Sequence, residues 1–157
     1  MAIFETGIIV DNRTLLEKKY YDEHNPLDKN LRMGLLQAIT SFAQDAFNTE
    51  INSFSLEDYT IVIELRMINE PDTEGSDENN FPKHKLILYA IIEKETNLET
   101  LMECMKEIVE QFLNRYSIND ILYKDSHHFR KFLSRFDKIY KDLILKPEDR
   151  FGSLFDL

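Results

Sequence analysis

At 157 residues the chain has the length of a single domain, and 43% hydrophobic content with 11% aromatic residues supplies one sizeable core. Four Gly and four Pro exclude a collagenous or low-complexity chain. A net charge of −10 argues against phosphate backbones and anionic membrane surfaces as partners; the basic residues gather only between His127 and Lys141, where Asp137 and Asp142 dilute them.

Cys104 is the sole cysteine, so neither an intramolecular disulfide nor a multi-Cys metal site can form, which suits a reducing compartment. On its helix it is expected to pack in the core or at the core edge. Met1-Ala2-Ile3-Phe4-Glu5 lacks the basic and apolar regions of a signal peptide. No apolar run approaches the roughly 20 residues that a membrane helix needs. The expectation is a soluble, cytoplasmic protein without nucleic-acid binding or membrane insertion.

In chain order, Ile3 to Val10 and Thr14 to Tyr21 read as a hairpin joined by the turn-forming Asp11-Asn12-Arg13. Gly7-Ile8-Ile9-Val10 is its buried strand, and the more polar Leu15-Leu16-Glu17-Lys18-Lys19-Tyr20-Tyr21 its edge. A loop follows, with His24-Asn25-Pro26, and then a helix over about Asp28 to Asn48. Leu31, Leu35, Ala38, Phe42 and Ala46 form one apolar stripe; Leu36, Ile39, Ala43 and Phe47 form a second beside it. Gly34 inside that helix costs about 1 kcal/mol against Ala, a cost that a close helix-on-sheet approach would explain.

Ile51 to Leu56 alternates apolar and polar, the period of a half-buried strand, and Tyr59 to Met67 is a β-branched and aromatic strand. Asn69 to Pro82 then carries Glu70, Asp72, Glu74, Asp77 and Glu78 and reads as a solvated hairpin loop. Its spacing does not match a calcium loop. Leu86 to Ile92 is an almost uninterrupted apolar run, the pattern of a central strand covered on both faces. Thr96 with Glu99 predicts a capping box for a helix whose apolar face holds Leu98, Leu101, Met102, Met105, Ile108, Val109, Phe112, Leu113 and Tyr116.

Ser117 to Lys124 is a connection whose form the pattern leaves open, a helical turn being one reading. A last helix is predicted over about Ser126 to Leu143, capped by Asp125 or Ser126, with Phe129, Phe132, Leu133, Phe136, Ile139, Tyr140 and Leu143 in its stripe. His127 and His128 point about 100° apart on a helix and are expected at the surface rather than on one metal ion. Residues 1–145 are thus one domain with an acidic loop at 69–82, and residues 146–157 form a tail that keeps four large apolar side chains.

Nucleotide-binding and hydrolase signatures such as G-x-x-x-x-G-K-[ST], G-x-G-x-x-G, H-E-x-x-H and G-x-S-x-G are absent from the sequence. No catalytic residue, cofactor or metal site is therefore assigned, and the chain is not expected to be an enzyme. The order strand, strand, helix, strand, strand, strand, helix, helix predicts an α+β fold: a five-stranded antiparallel sheet with helices on both faces.

That order, with Gly7-Ile8-Ile9-Val10-Asp11 as a short opening strand before a turn, resembles the longin domain family. The strand and long helix from Leu86 to Tyr116 are similar to the corresponding part of longin-type proteins such as small adaptor subunits of vesicle coats. The resemblance covers about Ile3 to Leu143 and lies in the order and lengths of elements. The chain departs from it in the acidic insertion and in carrying no SNARE-like heptad segment after Leu143.

Roadblock and profilin-like domains are the nearest competing shapes, although a roadblock domain usually opens with a helix. The resemblance implies a non-enzymatic interaction module in small-GTPase or membrane-traffic-like assemblies, bound to a small GTPase or to another longin- or roadblock-type protein. The competing expectation is a small-molecule sensor or enzyme with a pocket between sheet and helices. The expected partner surface is Leu36, Ile39, Ala43 and Phe47 together with Phe54, because two apolar stripes exceed what one packing face requires. A homodimer through the open edge at Thr14 to Tyr21 is the further expectation.

Overall fold

Every side chain from Leu86 to Ile92 is buried, and the strand that carries them, β5 (Lys83–Glu93), lies in the interior of an antiparallel sheet. β5 pairs with β1 (Ile3–Val10) on one side and with β4 (Tyr59–Asn69) on the other. β2 (Arg13–Lys19) extends the sheet beyond β1, and the three-residue β3 (Ser53–Ser55) pairs with the far side of β4. The computed structural model describes residues 3–11, 13–20, 33–34, 36–38, 41, 53–55, 59–70, 83–94 and 97–144, with the backbone alone at Phe54 and Asp142. The predicted tail at 146–157 and most of the acidic loop lie outside the described residues.

The β1–β2 connection is two residues long, since Val10 pairs with Arg13. Asp11 takes a φ of 54° there, a left-handed conformation that Asp and Asn adopt more readily than most residues. Two bulges decide which apolar side chains share a face. The register slips between Ile3 and Glu5, so Phe4 turns to the side that Ile9 occupies. It slips again opposite Ile8 and Ile9, so the consecutive Leu15 and Leu16 both reach the same core.

The sheet is buried on both faces, which is why β5 has no polar alternation to read. On one face Ile8, Val10, Val62, Leu88 and Ala90 pack beneath helices. On the other, Ile9, Ile61, Ile63, Ile87 and Ile91 pack with Leu36 and Met33 from a helical stretch. Gly34 of that stretch is exposed, and a Cβ there would meet nothing within 4 Å. Close approach to the sheet therefore does not account for this glycine.

Helix α1 (Leu98–Arg115) buries Leu101, Met105, Ile108, Val109 and Phe112, the face its periodicity predicts. Each such side chain contributes roughly 1.5–3 kcal/mol when taken from water. The cap is Asn97 rather than the expected Thr96: the Asn97 side chain accepts from the Thr100 N–H at 3.2 Å. Leu98 also departs from the predicted stripe, being 37% exposed in the first turn.

The connection from Ser117 is a short helix, α2 (Ile118–Tyr123), capped by the Ser117 hydroxyl. The predicted last helix is three pieces: a 3-10 helix over Ser126–Phe132, α3 (Leu133–Tyr140) and a 3-10 turn at Lys141–Leu143. Spacing explains the division. Phe129 and Phe132 are three residues apart, one turn of 3-10 helix, whereas Phe132, Phe136 and Tyr140 recur at four, close to one α turn. All four side chains are buried, so each piece adopts the pitch that returns its aromatic to the core.

Gly7 in β1 is required by close approach. A Cβ there would sit 2.6 Å from the Leu16 carbonyl oxygen and 2.8 Å from Tyr89 Cε1. The carbonyl is backbone and cannot swing away, so Gly7→Ala is expected to cost about 1–3 kcal/mol, the range of overpacked cores. Urea denaturation measures it. A loss below about 0.5 kcal/mol, the ordinary scatter of surface changes, would contradict this account.

Candidate functional site

Of the expected partner surface, Leu36 is described with its side chain and is fully buried. It packs into the cluster that holds Ile61, Ile63 and Ile87, so this member of the second stripe is core and not free surface. Two amphipathic stripes cannot be ranked by periodicity alone, because each has the spacing of a packing face. Ile39, Ala43, Phe47 and the side chain of Phe54 lie outside the described residues.

Polar residues beside Leu36 hold this helical stretch on the sheet. The Gln37 amide donates to the Asp11 carbonyl oxygen, and Lys85 Nζ donates to Ser41 Oγ at 3.3 Å. Both contacts gather at the end of the sheet where the β1–β2 turn meets the start of β5. Asp11 is the centre of that junction: its carboxylate accepts from the Lys85 N–H and pairs with His84 Nδ1 at 2.7 Å. Glu70 Oε2 lies 3.8 Å from the other ring nitrogen, and the Tyr123 hydroxyl donates to Glu70.

An imidazole between two carboxylates has the components of a proton relay. Here they join four separate segments: the hairpin turn, the end of β4, the start of β5 and α2. Arg13 adds to the same clip by donating to the Ile121 and Lys124 carbonyls at the end of α2, at 2.7 and 3.3 Å. The geometry is that of a structural tie. No group of three or more His, Cys, Asp or Glu suited to a metal ion occurs among the described residues. Sequence reading missed this junction because its members are scattered from Asp11 to Tyr123.

Within the sheet the polar groups are also matched to one another. Thr6 Oγ1 donates to the Tyr89 carbonyl at 2.8 Å, so its contact with Tyr140 at 2.9 Å makes the Tyr140 hydroxyl the donor. Burial pushes the Tyr140 phenol well above its usual ionisation range. Tyr89 donates to the buried Glu5 carboxylate at 2.7 Å. At the edge, burial and the hydrogen bond to Asp137 raise the Tyr20 phenol likewise. Asp137 accepts from Tyr20 at 2.8 Å and from Lys18 at 3.0 Å, pinning β2 to α3.

A concavity lies elsewhere. An open groove of about 540 Å³ lies between the last turn of α1 and the closing helices, lined by Gln111, Asn114, Arg115, Phe132 and Arg135. Phe132 is its floor and belongs to the core; the two arginines stand on separate walls and are exposed. Sequence reading notices the basic run but not the groove, since Arg115 and Arg135 belong to different helices.

His127 and His128 are exposed as expected, and Cys104 is half-buried with its thiol 3.5 Å from the Ile139 carbonyl. No helix among the described residues is long and apolar enough to cross a membrane. Neither family models nor curated proteins provide a match to the chain.

Proposed function

We propose that the chain is a non-enzymatic protein-interaction module of longin-like type, acting as a scaffold or regulator in small-GTPase or membrane-traffic-like assemblies in the cytoplasm. The observation that carries the reading is the layering. An antiparallel sheet with β5 in its interior is covered by α1 and the closing helices on one face, and meets Leu36 and Met33 on the other. This is similar to the arrangement the longin resemblance implies, and the functional step from it is an argument by fold analogy.

The competing reading, a sensor or enzyme, calls for an enclosed pocket between sheet and helices with convergent polar groups. Among the described residues, apolar side chains fill the contacts between sheet and helices, and the groove opens at the surface instead. The proposed partners are a small GTPase, another longin- or roadblock-type protein, or a second copy pairing through β2. Lys18 is tied to Asp137, which lessens the repulsion between lysines that would oppose β2–β2 pairing.

Pull-down of the purified chain with a panel of small GTPases in both nucleotide states, and with longin and roadblock domains, tests the proposal. Retention of a GTPase in one nucleotide state, or of one such domain, is the expected result. If none is retained, the specific form of the proposal fails, and sedimentation at two salt concentrations then decides the homodimer.

A further inference from the structure

The geometry points to the groove between α1 and the closing helices as a docking site for an acidic, Asp- and Glu-bearing peptide segment of a partner protein. Charge is the first argument. The chain carries a net −10, yet between Arg115 and Lys141 it has seven Lys or Arg against three Asp. At about 0.15 M salt the Debye length is roughly 8 Å, so a ligand in the groove responds to this local excess, offset in part by Glu107 and Glu110 on the α1 wall, more than to the acidic residues elsewhere in the chain.

The three aspartates in that stretch are committed to other contacts. Asp137 accepts from Lys18 and Tyr20, Asp120 lies 3.2 Å from His128 Nε2, and Asp125 caps the 3-10 helix through the His127 N–H. On α1, Glu107 accepts from Gln111 at 3.1 Å. Among the described residues neither Arg115 nor Arg135 is ion-paired; Arg115 only lies over the Tyr116 ring, at 5.6 Å. Two guanidinium forks therefore face open solvent across a concavity that already has a rigid aromatic floor.

Shape selects the class of ligand. A small molecule gains affinity by being largely enclosed, in cavities of about 300–1,000 Å³ that bury most of its surface. This groove has comparable volume but is open, so a ligand held here must continue beyond it, as a polypeptide does. The arginines stand on separate walls, Arg115 on α1 and Arg135 on α3, with the Gln111 and Asn114 amides on the α1 wall. Donors spread in this way suit separate carboxylates, each met by one fork, better than one compact phosphate.

The test is fluorescence anisotropy of a labelled oligo-glutamate peptide against the full chain. Saturable binding that weakens as salt is raised is expected. Arg115→Ala and Arg135→Ala should each weaken it by about tenfold, the usual effect of removing a hydrogen-bond partner from a charged group. Both residues are exposed, and circular dichroism checks that the variants stay folded. The paired variant Arg130→Ala with Lys131→Ala, exposed basic residues outside the groove, should leave affinity within about twofold.

Absence of saturable binding to the peptide overturns the proposal. So does an equal loss in the Arg130/Lys131 variant, which would reduce the effect to diffuse attraction. A phosphoserine peptide or inorganic phosphate that displaces the oligo-glutamate more effectively than free glutamate peptide does would also overturn it, since the site would then be for phosphate. None of these readouts uses a GTPase, so failure here is distinct from failure of the longin-type assignment.

Discussion

Phe112→Ala is expected to cost about 3–5 kcal/mol, at the upper end of large-to-small core changes, and to lower the Tm by roughly 10 °C or more. Phe112 is fully buried at the point where α1 meets the closing helices. Its ring centroid lies 5.1 Å from that of Tyr116, 5.6 Å from Phe129 and 5.2 Å from Phe132. These are distances at which tilted and edge-on aromatic pairs add to their area burial. The truncation removes a partner from three rings together, and the 3-10 helix that presents Phe129 and Phe132 has few other reasons to hold its tight pitch.

Urea denaturation followed by circular dichroism measures the loss, with the exposed Glu110→Ala as a control expected to stay within about 0.5 kcal/mol. A Phe112→Ala cost below about 1.5 kcal/mol would mean that the closing helices pack onto the sheet without the aromatic cluster.

Leu36→Asp is expected to unfold the chain or to destabilise it by more than about 4 kcal/mol. Deleting a buried Leu costs about 2–5 kcal/mol by itself, and a carboxylate left in its place is charged and without a partner. The side chain is fully buried in a cluster with Ile61, Ile63 and Ile87, whose described members are apolar and offer no counter-ion. Leu36→Met keeps volume and polarity and should cost less than about 1.5 kcal/mol. Thermal melts of both variants decide the matter. A folded Leu36→Asp protein with wild-type stability that has lost a partner would return Leu36 to the interaction surface.

This pair of predictions marks where pattern reading stops. The α1 stripe was legible because five of its apolar positions meet one sheet face, and a single amphipathic helix has only one way to satisfy that spacing. The helical stretch around Leu36 has two apolar stripes, and sequence has no means of ranking them. The ranking came from the sheet surface opposite and from the Gln37 and Ser41 contacts beside it.

By itself the sequence determined the strand character of β1, β4 and β5, the interior position of β5, the hairpin turn at Asp11 and the buried face of α1. Each of these is a local pattern, set by β-branching, by turn chemistry or by a period of 3.6 or 2 along consecutive residues. Tertiary structure alone decided the bulges that turn Phe4 and Leu15 into the core, the division of the closing segment into 3-10 and α pieces, and the Asp11–His84–Glu70 junction. It also decided the groove. Arg115 and Arg135 are separated by a short helix and a 3-10 helix in the chain, and the packing of Phe129 and Phe132 against Phe112 and Tyr116 brings their helices together. Such features depend on which surfaces meet after the chain folds back, and residues distant in sequence carry no shared periodicity from which that meeting could be read.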